Sequence, residues 1–261
     1  WVENGKSIAY AASNIIVIMN IETRNQKFLM GHTDRIISLV SGCNGGHLIA
    51  SAQGGQTPIV RIWSTLDCTC KCYMNVHEKD VTAIAFSPQN KFLVISGHDS
   101  KGRMLLSVWD TSAVEDGKRA VEIARQLCEF DVKNIKFSPY MDESSPRLVS
   151  CGNSSIRFWR VSRGHLPGRS VPLEPQNRQK FTDICFNLAF KPNDEPSKRV
   201  FVSSEEGWIF QVNYLTGNLE CIFRVHDGPI NSMMVNPGFC VTGSEDRFVR
   251  IWPLEFLDFY M

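Results

Sequence analysis

"HDGPINSMMVNPGFCVTGSEDRFVRIWPL" occupies residues 226–254. It holds three short apolar runs, separated by turns rich in Gly, Pro, Asn, Asp and Ser. Runs of this length and content read as consecutive short strands. Nothing in the stretch carries the 3.6-residue period of an amphipathic helix.

The unit recurs along the chain. Its ending, "RFVRIWPL" (247–254), has counterparts in "PIVRIWST" (58–65), "MLLSVWDT" (104–111), "SSIRFWRV" (154–161) and "WIFQVNYL" (208–215), with a weaker copy in "NIIVIMNI" (14–21). Aligning Asn20, Trp63, Trp109, Trp159, Asn213 and Trp252 gives spacings of 43, 46, 50, 54 and 39 residues. Before each ending lie an alternating run after a turn, such as "GHTDRIISLV" (31–40), and a short apolar run closing on small residues, such as "KFLVISG" (91–97). The only stretch open to a helical reading, 113–126, contains Gly117.

A period near 40–45 residues with several strands per unit matches a propeller blade of the WD40-repeat family. The chain resembles that family over essentially its whole length. The resemblance predicts an all-β WD40 propeller of about six blade equivalents, at roughly 1–33, 34–77, 78–130, 131–180, 181–226 and 227–261. The first enters on a second strand, "SIAYAA" (7–12), and the last stops at "EFLDFYM" (255–261), so both are read as incomplete. That favours a larger parent protein with further repeats.

In WD40 blades a His–Ser/Thr–Asp–Trp set forms a buried hydrogen-bond chain. A buried imidazole and indole N–H need partners, and a satisfied network fixes the blade's shape. The resemblance assigns this set to His226, Thr242, Asp246 and Trp252 in the last blade. It assigns His32, Ser51 and Trp63 to the second blade, whose longer turn lacks the Asp. His77, Ser96, Asp99 and Trp109 fall to the third, and Ser150 and Trp159 to the fourth. Asn20 and Asn213 stand in for Trp in the first and fifth.

The bulk composition narrows the function. With 28 basic and 27 acidic residues, no basic excess points to nucleic acid or to an anionic membrane. No apolar run approaches the roughly 20 residues of a membrane span. Nine cysteines, an odd number at irregular spacing, fit a reducing compartment better than a disulfide scaffold. Three of them alternate in "DCTCKCYMNVH" (67–77), as Cys68, Cys70 and Cys72. On the outer strand of the second blade they would share one face and pack as small hydrophobes. A structural zinc would need four ligands, and His77 is already taken as a blade histidine.

Catalytic motifs are missing. There is no phosphate loop, nucleophile elbow, H-E-x-x-H or EF-hand pattern, and the glycine-rich "SGCNGGH" (41–47) lies between strands and precedes no helix. The expectation is therefore no enzyme, no cofactor, no metal and no small-molecule substrate. Longer polar connections at 111–120, 139–146, 162–169 and 193–199 fall on one end of the blades by strand order. They carry Lys118, Arg119, Arg163, Arg169, Lys198 and Arg199, a candidate partner-binding cluster.

The resemblance narrows further. "YAASNIIVIMNIETRNQKFLMGHTDRI" (10–36) and "IASAQGGQTPIVRIW" (49–63) are similar to the opening propeller of the echinoderm-microtubule-associated-protein-like group. "SIRFWRVSRGHL" (155–166), "FTDICF" (181–186) and "TGSEDRFVRIWPLEF" (242–256) resemble a family of centriolar and ciliary WD-repeat proteins. These likenesses imply a non-catalytic scaffold whose partners are proteins, tubulin or microtubule-associated centriolar and axonemal components. They imply a place on the cytoplasmic cytoskeleton, at centriole, basal body or axoneme. The alternative is a general WD40 adaptor, such as a ubiquitin-ligase substrate receptor or a signalling scaffold.

Overall fold

The structure is a computed structural model. It describes all residues except 43–44, 77, 141–145, 175–177, 189–197 and 259–261. The chain divides into two compact units, Trp1–Glu129 with Val161–Leu166, and Phe130–Arg160 with Pro167–Met261.

The first unit holds three antiparallel sheets. One is β1 (Ser7–Ala12), β2 (Ile15–Asn20) and β3 (Gln26–Leu29); the next is β4 (Ile36–Ser41), β5 (Leu48–Gln53), β6 (Val60–Ser64) and β7 (Cys70–Met74). The third is β8 (Asp80–Phe86), β9 (Phe92–His98), β10 (Met104–Asp110) and β11 (Val121–Cys128). The second unit begins with β12 (Val132–Phe137), β13 (Arg147–Gly152), β14 (Ser155–Arg160) and β15 (Gly168–Ser170). It continues with β16 (Phe181–Phe186), β17 (Arg199–Ser204), β18 (Trp208–Asn213) and β19 (Leu219–Arg224), and ends with β20 (Ile230–Asn236), β21 (Phe239–Ser244) and β22 (Val249–Pro253). Each sheet is an up-down meander, and these six sheets are the blades of a β-propeller fold. Among the described residues there is no α-helix; of residues 113–126, the first part is a turn and 121–126 belong to β11.

One irregularity repeats in five blades. The pairing of first and second strands slips beside Ile36, Val81, Val132, Phe181 and Ile230. Such a bulge adds one unpaired residue and sharpens the strand's twist. It also gives a common register, so Ser51, Ile95, Ser150, Val202 and Thr242 occupy one structural position.

Blades hold together by packing sheet on sheet. Ile16, Ile18, Leu29, Ile36, Ile49 and Trp63 form the core between the first and second blades. Leu48, Val60, Ile62, Ile84, Leu93 and Ile95 form the next one. In the second unit, Phe181, Val202, Phe210 and Tyr214 join the fourth blade's Val149 and Ile156. Each such side chain contributes about 1.5–3 kcal/mol by leaving water.

The innermost strands of the second unit also share a polar knot. Asp183 on β16 accepts from Asn134 and Lys136 on β12, each at 2.8 Å, and from the Met233 N–H on β20 at 2.8 Å. Burial opposes the charge of Lys136, but Cys185 and Asp183 beside it hold its ammonium above the usual lysine range. One carboxylate thus ties three blades.

The cysteine expectation needs correction. Cys68 lies in the turn before β7, at a left-handed φ of 57°, and is not part of the strand. Within β7 a bulge separates Cys70, opposite Trp63, from Cys72, opposite Ile62. The extra residue breaks the alternation, so Cys72 is buried while Cys70 is exposed. The three sulfurs do not share a face. All eight described cysteines are free thiols.

Candidate functional site

The blades' polar networks set the shape of the surfaces they carry. In the last blade, Asp246 is an acceptor only, so His226 Nδ1–H donates to its Oδ2 at 2.8 Å. Nε2 then accepts from the Thr242 hydroxyl at 2.7 Å, and that oxygen accepts the Trp252 indole N–H at 3.0 Å. His226 and Thr242 are fully enclosed. Burial pushes the Asp246 carboxyl up, but bonds from His226 and from the backbone N–H groups of Phe248 and Asp227 outweigh it and hold the pKa at about 2.

The second blade reaches the same end with another residue. Trp63 donates to Ser51 at 2.8 Å, and Ser51 meets His32 Nε2 at 2.6 Å. The acceptor for His32 Nδ1 is Gln53 Oε1 at 2.8 Å. Gln53 sits where Ser244 sits in the last blade, and its longer side chain spans the gap the missing Asp leaves. Its amide nitrogen donates to Thr33 Oγ1 and to the Thr57 carbonyl, both at 3.0 Å. Burial, only partly offset by the Gln53 bond, pulls His32 below the usual histidine range, so this network is uncharged.

The third blade departs from the expected set. Trp109 holds the tryptophan position, since it pairs with Leu93 as Trp63 pairs with Ile49. The position of Ser51, however, is taken by Ile95. The indole N–H therefore turns to Ser107, on its own strand, at 3.0 Å. Ser96 lies one residue along, on the opposite face, and bonds Thr82 at 2.8 Å. The fifth blade has the same clip, Thr182 to Ser203 at 2.8 Å. Asp99 caps its own turn, accepting from the Lys101 and Arg103 N–H groups at 3.0 and 2.9 Å. His77 lies outside the described residues.

In the fourth blade, Trp159 donates to Ser150 at 2.8 Å, and a Phe130 ring lies 6.5 Å away. Asn213 does not replace a Trp. Val212 occupies that position, paired with Val200. Asn213 is the next residue, and its Oδ1 accepts from the Leu215 and Thr216 N–H groups at 3.0 Å. Asn20 does the same for Thr23 at 2.9 Å, and Asp110 for Ser112 at 2.9 Å. These residues are turn caps.

Sequence reasoning missed the arginine two residues before three of the tryptophans. Arg61 lies 5.9 Å from the Trp63 ring and Arg157 4.7 Å from that of Trp159. Arg250 donates to the Val225 carbonyl and stands 3.2 Å from His226 Nδ1. Residues i and i+2 share a face of a strand, so "VRIW", "IRFW" and "VRIW" carried the signal.

The six candidate loop cations divide. Arg169 donates to the Leu215 carbonyl at 2.7 Å, Arg199 pairs with Glu220 at 2.9 Å, and Lys198 sits 6.0 Å from the Tyr140 ring. These three are occupied within the second unit. Lys118, Arg119 and Arg163 are exposed, belong to the first unit, and make no ion pair with any described residue. The segment carrying Arg163 leans on β11, where Gly164 N–H donates to the Ile123 carbonyl at 3.0 Å. The loop carrying Lys118 and Arg119 also supplies Ser112 and Glu115 to a cleft of about 320 Å³ shared with His47, Gln89 and Lys91.

Among the described residues, no group of three His, Cys, Asp or Glu side chains is placed to hold a metal. Nor, among the described residues, is any helix long and apolar enough to cross a membrane.

Comparison with known proteins agrees with this geometry. The family described as WD domain, G-beta repeat matches residues 66–104 and 217–253. A crystal structure of the Cps50 (Swd1) β-propeller domain from Myceliophteria thermophila superposes with a TM-score of 0.66, covering 84% of this chain and 64% of that one at 14% identity. That likeness concerns the fold. The chain is a WD40-repeat β-propeller. Its homologues include WD repeat-containing protein 90 of Xenopus tropicalis, 32% identical over 98% of this chain and 15% of that protein. Another is centriole proteome protein 16 of Chlamydomonas reinhardtii, 30% identical over 100% of this chain and 14% of that protein. The 77 kDa echinoderm microtubule-associated protein of Lytechinus variegatus is 26% identical over 95% of this chain and 37% of that protein. The chain thus spans about one seventh of the first two relatives' length.

Proposed function

We propose that this propeller is a non-catalytic scaffold of a centriolar or ciliary microtubule-associated protein, supporting centriole integrity or cilium assembly. The observation that carries this reading is homology along nearly the whole chain to proteins named for the centriole and for microtubules. The structure supplies a physical means. Rigid blades hold loops in fixed places, and loops on a rigid frame are where partners bind.

The partner-facing element is the exposed cation set Lys118, Arg119 and Arg163, which suits an acidic protein surface such as that of tubulin. Attraction of this kind acts over about 8 Å at physiological salt, so it guides docking and leaves shape to decide specificity. Reversing the three charges to Glu leaves the fold intact, because none of them holds another described side chain in an ion pair. The reversed full-length protein pellets with microtubules several-fold less well than the wild type, and the difference shrinks as salt is raised. Equal pelleting by a folded variant would remove these residues from the interface.

A further inference from the structure

Three arginines occupy one structural position in three blades. Arg61 pairs with Ser51, Arg157 with Ser150 and Arg250 with Thr242, each two residues before its tryptophan. Two of them are completed by oxygen atoms of the chain itself. Arg157 donates from Nη2 to the Gly168 carbonyl at 3.2 Å and lies between the rings of Phe130 and Trp159, at 5.4 and 4.7 Å. Arg250 donates to the Val225 carbonyl, and the Asp246 carboxylate stands 3.6 Å away.

Arg61 differs. Among the described residues no carbonyl or carboxylate oxygen bonds it. Its Nη1 reaches only the Cys70 Sγ at 3.6 Å, and a thiol is a weak acceptor. Its Nε is buried without a partner, as is that of Arg157, so the copies differ at the terminal nitrogens. A charged donor left unpaired in a half-buried place is costly, and an anion that reaches it recovers that cost. The guanidinium lies 5.9 Å from the Trp63 ring and 5.7 Å from that of Tyr73. Gly31 borders it, since a Cβ there would stand 3.6 Å from Arg61 Cζ. The flanking surface is apolar: Tyr73 is 65% exposed, and Met30, beside Gly31, 70%.

We propose that Arg61 is a carboxylate receptor. It takes a Glu or Asp side chain from an acidic segment of a partner protein, while an apolar neighbour of that residue rests on Tyr73 and Met30. A guanidinium meets a carboxylate through two parallel, charge-assisted bonds. One guanidinium balances one carboxylate. A phosphate carries about two negative charges at neutral pH and calls for a second cation, and Lys71 on the same strand is already held by Asp67. The receptor uses none of Lys118, Arg119 and Arg163, and it does not depend on the partner being part of a microtubule.

The test uses the immobilised full-length protein and four pools of heptapeptides, randomised except at the centre. The central residue is Glu, Gln, phosphoserine or Lys. The Glu pool should be retained about fivefold better than the Gln pool, as befits a partly exposed ion pair. Arg61→Gln should abolish that preference, and Arg61→Lys, which keeps the charge without the fork, should keep part of it. In a protein with Lys118, Arg119 and Arg163 reversed to Glu, the part that depends on Arg61 should persist, so the two surfaces succeed or fail separately. Phenylglyoxal modification of Arg61 in the unsubstituted protein, read by mass spectrometry, should be slowed by the Glu pool and not by the Gln pool, which tests the site even where a variant does not fold. Equal retention of the Glu and Gln pools overturns the proposal. So does a Glu preference untouched by Arg61→Gln in a folded variant, or a stronger Arg61-dependent retention of the phosphoserine pool.

Discussion

At the scale of single residues, the last blade's hydroxyl has the most to lose. Thr242 receives the Trp252 N–H and donates to His226, both without access to water. Thr242→Val keeps the shape and leaves two buried groups unpaired. At about 1–3 kcal/mol for each, the variant should lose about 2–6 kcal/mol, measurable by urea denaturation. A loss under half a kilocalorie would mean that the network is dispensable. His32 gives a pH prediction. Its pKa is lowered on folding, so below about 6.5 the unfolded chain takes up a proton that the folded chain refuses. Stability therefore falls as pH drops from 7.5 toward 5.5. A His32→Asn variant, less stable throughout, should lose less over that interval. Thermal melts of both proteins at the two pH values compare the slopes, and equal slopes would contradict an uncharged, buried His32.

At the scale of strands, the sequence displayed the elements better than their register. The period, the turns and the tryptophans were legible, because strand runs and Gly/Asn/Asp turns are local features. Which hydroxyl meets which indole was not. That depends on the bulge beside each first strand and on turn length, which together decide the face a side chain takes. Ser96 and Ile95 differ by one position, and the wrong one carries the hydroxyl. Gln53 was hidden because it does an aspartate's work from the end of β5, ahead of the turn. Asn20 and Asn213 were read as lost tryptophans because alignment by sequence cannot separate neighbouring positions. The bulge in β7 has a measurable consequence as well. Cys70 is exposed and Cys72 buried, so maleimide should modify Cys70 rapidly in the folded protein and spare Cys72 until it unfolds. Equal rates would mean that β7 lacks the bulge.

At the scale of the whole molecule, function follows from covering and uncovering surfaces. The polar networks and sheet-on-sheet cores make each blade stiff. What remains exposed includes the cationic loops of the first unit, with Lys118, Arg119 and Arg163. These were not visible in composition, since a net charge of +1 says nothing of which charges stay unpaired. Three of the six candidate cations proved to be occupied, because their partners, a backbone carbonyl, a carboxylate and an aromatic ring, come from elsewhere in the chain.

The scaffold reading is tested most directly by location. The full-length protein and a copy lacking residues 1–261 would be tagged and imaged by expansion microscopy in ciliated cells. The account predicts signal along the centriole wall or the axoneme that weakens or scatters when this propeller is removed. A diffuse or nuclear signal for the intact protein would contradict it and favour a general adaptor.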